Sequence, residues 1–121
     1  MAGKWTMLIR DGPKVERFRF ESLADALAEM EDRLDALAPD ARRPSVEIIG
    51  HRYDPARQVA VRAEVTGPGG LLGAARGGVD MRGDGSTEAY LGRLRRRLLE
   101  LRPGETPYEG LRRALGEAGA G

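Results

Sequence analysis

Apolar side chains recur at every second position over Trp5–Arg10, where Trp5, Met7 and Ile9 share one side. Asp11-Gly12-Pro13 is turn chemistry. Val15–Phe20 again alternates, with Phe18 and Phe20 on one face and Arg17 and Arg19 on the other, so the pair predicts a β-hairpin. The period then lengthens. Leu23, Leu27, Met30, Leu34 and Leu37 follow at steps of three and four, one stripe of a helix over Ser22–Ala38. Ser22 is placed to cap it and Asp25 to complete a capping box, while Pro39 and Pro44 end it and begin a linker.

Val46–Tyr53 is rich in strand formers, and Asp54-Pro55-Ala56-Arg57 predicts a type I turn. Gln58–Thr66 shows the clearest alternation, with Val59, Val61, Ala63 and Val65 against Ala60, Arg62, Glu64 and Thr66. Gly67-Pro68-Gly69-Gly70 breaks that strand and opens a glycine-rich loop carrying Leu71 and Leu72. Val79 and Met81 alternate with Asp80 and Arg82 in a short strand, and Gly83-Asp84-Gly85 turns the chain. Beyond it, Tyr90, Leu91, Leu94, Leu98 and Leu101 suggest a second helix, capped by Ser86 or Thr87 and stopped by Pro103-Gly104. Tyr108–Leu115 predicts a short last helix with Pro107 near its first turn.

The expected order is β-β-α-β-β-β-α-α. Its simplest packing is an α+β two-layer sandwich, an antiparallel sheet with the two main helices on one face. A chain of 121 residues forms one domain, taken as residues 1–115, with 116–121 a flexible tail.

Composition adds exclusions. Without cysteine there is no disulfide, zinc–thiolate site or thiol nucleophile. No apolar run reaches signal-peptide or membrane-spanning length, so the expected location is the cytoplasm and no membrane partner is expected. A net charge of +1 gives no strong long-range attraction to nucleic acid. Lys4 and Lys14 are the only lysines, and the excess of arginine, alanine, glycine and leucine fits GC-rich bacterial codons better than a functional demand for arginine.

No catalytic constellation is marked. His51, the single histidine, lies in strand phase with Ile49 and Tyr53 and has no nucleophile paired with it. Ser22, Ser45 and Ser86 precede helices or a strand, and no G-x-S-x-G elbow occurs. Asp25, Glu29 and Asp32 share a helical face but lack the loop pattern of a calcium site, so a solvated acidic face is expected and no metal. The glycine-rich segments carry no Walker lysine, and Asp84 and Glu88 oppose a phosphate at the predicted second helix, so no cofactor is expected. Arg82-Gly83-Asp84 spells the integrin tripeptide, a match that three residues make by chance.

The order helix, three strands, helix over Ser22–Leu101, with Gly83, Gly85 and Ser86 before the last helix, resembles that of double-stranded RNA-binding domains. That family places phosphate-gripping lysines at this helix entry. Thr87 and Glu88 stand there instead, and the leading hairpin is additional, so the resemblance is one of topology.

What remains are surfaces. Arg93, Arg96 and Arg97 form a basic patch on the predicted second helix, able to face the acidic first helix, the acidic helix of another copy, or phosphates. Leu71 and Leu72 either fold back on the core or enter a partner. Arg17 and Arg19 either protect an outer strand or form a partner surface. The leading expectation is therefore a non-enzymatic protein-interaction module, self-associating or binding a protein partner. The alternatives are nucleic-acid binding through the arginine-rich helix, and a small-ligand binder or enzyme using His51, Tyr53 or Tyr90.

Overall fold

Gly12 adopts φ 60 at the first central position of the turn after Asp11, the conformation that a type II′ hairpin reserves for glycine. The turn joins β1 (Trp5–Asp11) to β2 (Lys14–Phe20) in full antiparallel register, from Asp11↔Lys14 to Trp5↔Phe20. This computed structural model describes residues 4–41, 47–48, 51–52, 59–68, 75–92 and 96–119.

The remaining elements are α1 (Leu23–Ala41), β3 (Glu47–Ile48), β4 (His51–Arg52), β5 (Val59–Thr66), β6 (Arg76–Arg82), β7 (Thr87–Leu91), β8 (Arg97–Leu98) and α2 (Pro107–Gly119). Among the described residues, six strands form one antiparallel sheet in the order β2-β1-β5-β6-β7-β8, and β3 pairs with β4 separately. The α+β class and the antiparallel sheet with two helices are as the alternation predicts.

Met7 and Ile9 on β1, Val61, Ala63 and Val65 on β5, Val79 and Met81 on β6 and Ala89 on β7 are buried against the helices. From α1 come Ala26, Leu27, Met30 and Leu34, and from α2 Leu111 and Leu115. Removing each large side chain from water contributes about 1.5–3 kcal/mol. No polar or charged residue is buried among the described ones.

Local signals explain both helices. The Ser22 Oγ accepts the Asp25 N–H at 3.1 Å, the predicted cap. At α2 the bonds are reciprocal: Thr106 Oγ1 accepts the Glu109 N–H at 3.1 Å, and Glu109 Oε1 accepts the Thr106 N–H at 3.0 Å. This is a full capping box with Pro107 at the first helical position. Helix α1 runs three residues past the expected Ala38, through Pro39, because proline in a last turn costs one bond and need not stop the chain at once. No described helix is long and apolar enough to cross a membrane.

The second predicted helix is a correction. Thr87–Leu91 is a strand and Arg97–Leu98 a two-residue strand. Gly92 between them has φ 99, outside any right-handed helix, and its N–H donates to the Arg76 carbonyl at 3.0 Å. The helix that completes the second layer is α2, longer than the expected Tyr108–Leu115. The helix, three strands, helix order of the RNA-binding resemblance is therefore lost at its final element. Within Val46–Tyr53 the described residues form the short β3 and β4, and the Asp54-Pro55 turn lies outside the described residues.

Candidate functional site

A two-residue hairpin makes the residues flanking its turn a hydrogen-bonded pair, and an antiparallel ladder then alternates. From Asp11↔Lys14 the bonded pairs are Ile9↔Glu16, Met7↔Phe18 and Trp5↔Phe20. The N–H and C=O groups of Val15, Arg17 and Arg19 consequently point away from β1. Strand β2 is the outermost of the sheet, so these groups line its edge.

Side chains sort the same way. Glu16, Phe18 and Phe20 face the helix layer half-buried, whereas Val15, Arg17 and Arg19 are exposed on the opposite face, with Val15 49% accessible. Phe18 is held from the helix side by Arg33, whose guanidinium lies 3.9 Å from the ring centroid and donates to Glu29 Oε1 at 2.8 Å. The edge strand is thus clamped by one face and, among the described residues, unpaired along its rim.

Most charges on the helix-free face are mutually satisfied. Arg62 on β5 donates Nε and Nη2 to Asp80 on β6 at 2.6 and 3.0 Å, a bidentate pair between register partners that holds the guanidinium pKa above its usual value. Arg82 donates to Glu88 at 2.8 Å and Arg76 to Thr66 Oγ1 at 3.1 Å. The Tyr90 hydroxyl reaches Glu64 Oε1 at 3.4 Å, and its ring lies near the guanidinia of Arg62 and Arg96 at 5.8 and 5.3 Å. Burial first, then the Glu64 charge, pushes the Tyr90 phenol above its ordinary range. In contrast, Arg10, Arg17 and Arg19 are exposed and make no ion pair among the described residues.

The expected site residues separate. Arg17 and Arg19 stand at the outer strand. Leu71, Leu72 and Arg93 lie outside the described residues. Arg96 and Arg97 do not share a helix: Arg96 sits by Tyr90, and Arg97 is exposed on β8. His51 is on β4, paired with Ile48, and Tyr53 lies outside the described residues. Ser86 caps no helix; its N–H and hydroxyl both donate to Asp84 Oδ1, at 2.9 and 2.6 Å, in the turn from β6 to β7. Glu29 is occupied by Arg33, and no group of three potential metal ligands occurs among the described residues.

Sequence patterning missed Arg10 as part of the basic face, although it is in phase with Thr6 and Leu8. It also missed an open hollow of about 470 Å³ between Leu99–Pro103 and Arg113. The Arg113 guanidinium there is tied to Glu105 at 2.9 Å and to the Glu100 carbonyl at 3.2 Å. Comparison of the chain with protein-family models, with curated proteins and with solved structures finds no match.

Proposed function

We propose that the protein is a non-enzymatic protein-interaction module whose docking element is the rim of β2. The observation that carries this reading is a seven-residue outer strand whose Val15, Arg17 and Arg19 backbone groups have no strand beside them among the described residues. An extended segment of another protein completes such an edge by main-chain hydrogen bonds, and neighbouring side chains select its sequence.

The test is selection from a library of extended peptides on the wild-type chain and on Arg17→Pro. Proline at an outward-facing N–H is compatible with an edge strand but blocks an added one. Peptides retained by wild type and lost on Arg17→Pro are expected, with both proteins showing the same circular dichroism. A library yielding none with that behaviour removes the reading.

A second reading, nucleic-acid binding, draws on Arg10, Arg17 and Arg19, three exposed guanidinia on one face of the β1–β2 hairpin. It predicts oligonucleotide binding that weakens with salt at a log–log slope of about −2 for three phosphate contacts on a single strand. A flat salt response excludes it.

A further inference from the structure

On the reading of β2 as a docking edge, we propose that the segment it takes is an extended antiparallel peptide in which acidic residues alternate with apolar ones. The selection follows from what each position of the rim presents.

A partner strand bonded to Val15, Arg17 and Arg19 places the residues opposite them on the same face as those side chains. Arg17 and Arg19 are exposed there without an ionic partner among the described residues, and Arg10 adds a third positive charge from β1. Two carboxylates two residues apart therefore meet two guanidinia across the new ladder. The partner residue between them falls on the other face, opposite Phe18, and the one beyond falls opposite Phe20. Both rings are half-buried and belong to the edge of the core, so apolar side chains fit beside them. The position facing Glu16 takes a neutral polar residue, and that facing Val15 an apolar one. Read from its N-terminus, the complementary segment is Val-Glu-Val-Glu-Thr-Val.

A second copy of the chain fits this rim badly. Two-fold antiparallel self-pairing through the middle of β2 sets Arg17 against Arg17, Glu16 against Glu16, or Arg17 against Arg19, according to register. Each arrangement opposes like charges directly. Glu16 and the arginines thus exclude the chain itself, and the arginines favour an acidic strand, selection by repulsion as well as attraction.

The experiment is fluorescence anisotropy of the full chain with labelled Val-Glu-Val-Glu-Thr-Val. The comparison peptides have both glutamates replaced by threonine, both replaced by lysine, or both N-methylated so that their backbone cannot bond β2. The acidic peptide is expected to bind saturably, the threonine peptide about tenfold more weakly, the lysine peptide weaker still, and the N-methylated peptide not at all. The double variant Arg17→Gln, Arg19→Gln is expected to bind the acidic peptide no better than the threonine peptide. If acidic and threonine peptides bind equally and N-methylation abolishes both, the docking edge stands and the acidic specificity is overturned. If N-methylation leaves acidic binding intact, the docking edge itself is overturned. Tighter binding of a labelled oligothymidylate that displaces the peptide overturns both in favour of nucleic acid, and no binding by any peptide also overturns both.

Discussion

The guanidinium of Arg33 on α1 stacks 3.9 Å from the ring centroid of Phe18 on β2, so the helix layer grips the outermost strand of the sheet through one cation–aromatic contact. Glu29 orients that guanidinium one helical turn earlier. Arg33→Ala is expected to cost about 1 kcal/mol in chemical denaturation. It should also speed amide exchange at Glu16, Phe18 and Phe20, which bond β1, while Val15, Arg17 and Arg19 exchange rapidly in both proteins. Unchanged protection of the inward amides would show that β2 is held without the clamp.

Gly78 lies beneath Tyr90, its register partner on β7. A Cβ at Gly78 would come within 2.6 Å of the Tyr90 hydroxyl and would collide with the Ala63 carbonyl, which cannot move without breaking the ladder. Gly78→Ala is expected to destabilise by up to about 3 kcal/mol. At Gly12 a Cβ meets open space and only the φ of 60 resists it, so Gly12→Ala should cost about 1 kcal/mol. Thermal denaturation of both variants tests the order, and a milder effect at Gly78 contradicts this packing.

Arg62 and Asp80 form a half-buried bidentate pair across β5 and β6. A double-mutant cycle with Arg62→Met and Asp80→Asn is expected to give a coupling of about 1 kcal/mol that shrinks in high salt. A coupling of zero would mean that the strand register, not the ion pair, fixes these side chains.

Arg113 and the Arg102 N–H hold the Glu105 carboxyl well below its ordinary 4.5, at about 2. A carboxylate whose folded pKa is depressed stabilises the fold above its unfolded pKa, and that contribution is lost as pH falls from about 4.5 toward 2. Glu105→Gln should therefore be less stable than wild type at neutral pH, with the gap closing across this window. Denaturant midpoints at pH 6, 4 and 2.5 read it directly, and a gap as wide at pH 2.5 as at pH 6 excludes the linkage.

The arginines of β2 also act as edge protection. The double variant Arg17→Val, Arg19→Val removes the like-charge opposition in the Arg17–Arg17 and Arg17–Arg19 registers, keeps it only where Glu16 meets Glu16, and leaves an apolar rim. It is expected to sediment as dimers and larger species at concentrations where wild type shows none through this edge. A variant that stays as monodisperse as wild type would mean that something other than charge guards the rim.

Three elements were legible in the chain because each is decided by neighbours a few residues away. The β1–β2 hairpin follows from two alternating runs about a glycine that can take positive φ, α1 from a leucine stripe behind a serine cap, and β5 from strict alternation. The outward placement of Arg17 and Arg19 followed with the hairpin. Thr87–Leu101 went the other way. Its leucines and arginines are good helix formers at helical spacing, and the one local objection is Gly92. The tertiary structure made Thr87–Leu91 a strand because β6 offers it a ladder of hydrogen bonds. That pairing buries Ala89 in the core and lays Tyr90 over a glycine that has no side chain to resist it. Local propensity amounts to a few tenths of a kcal/mol per residue, and such long-range pairing and burial outweigh it. No reading of the segment in isolation contains them.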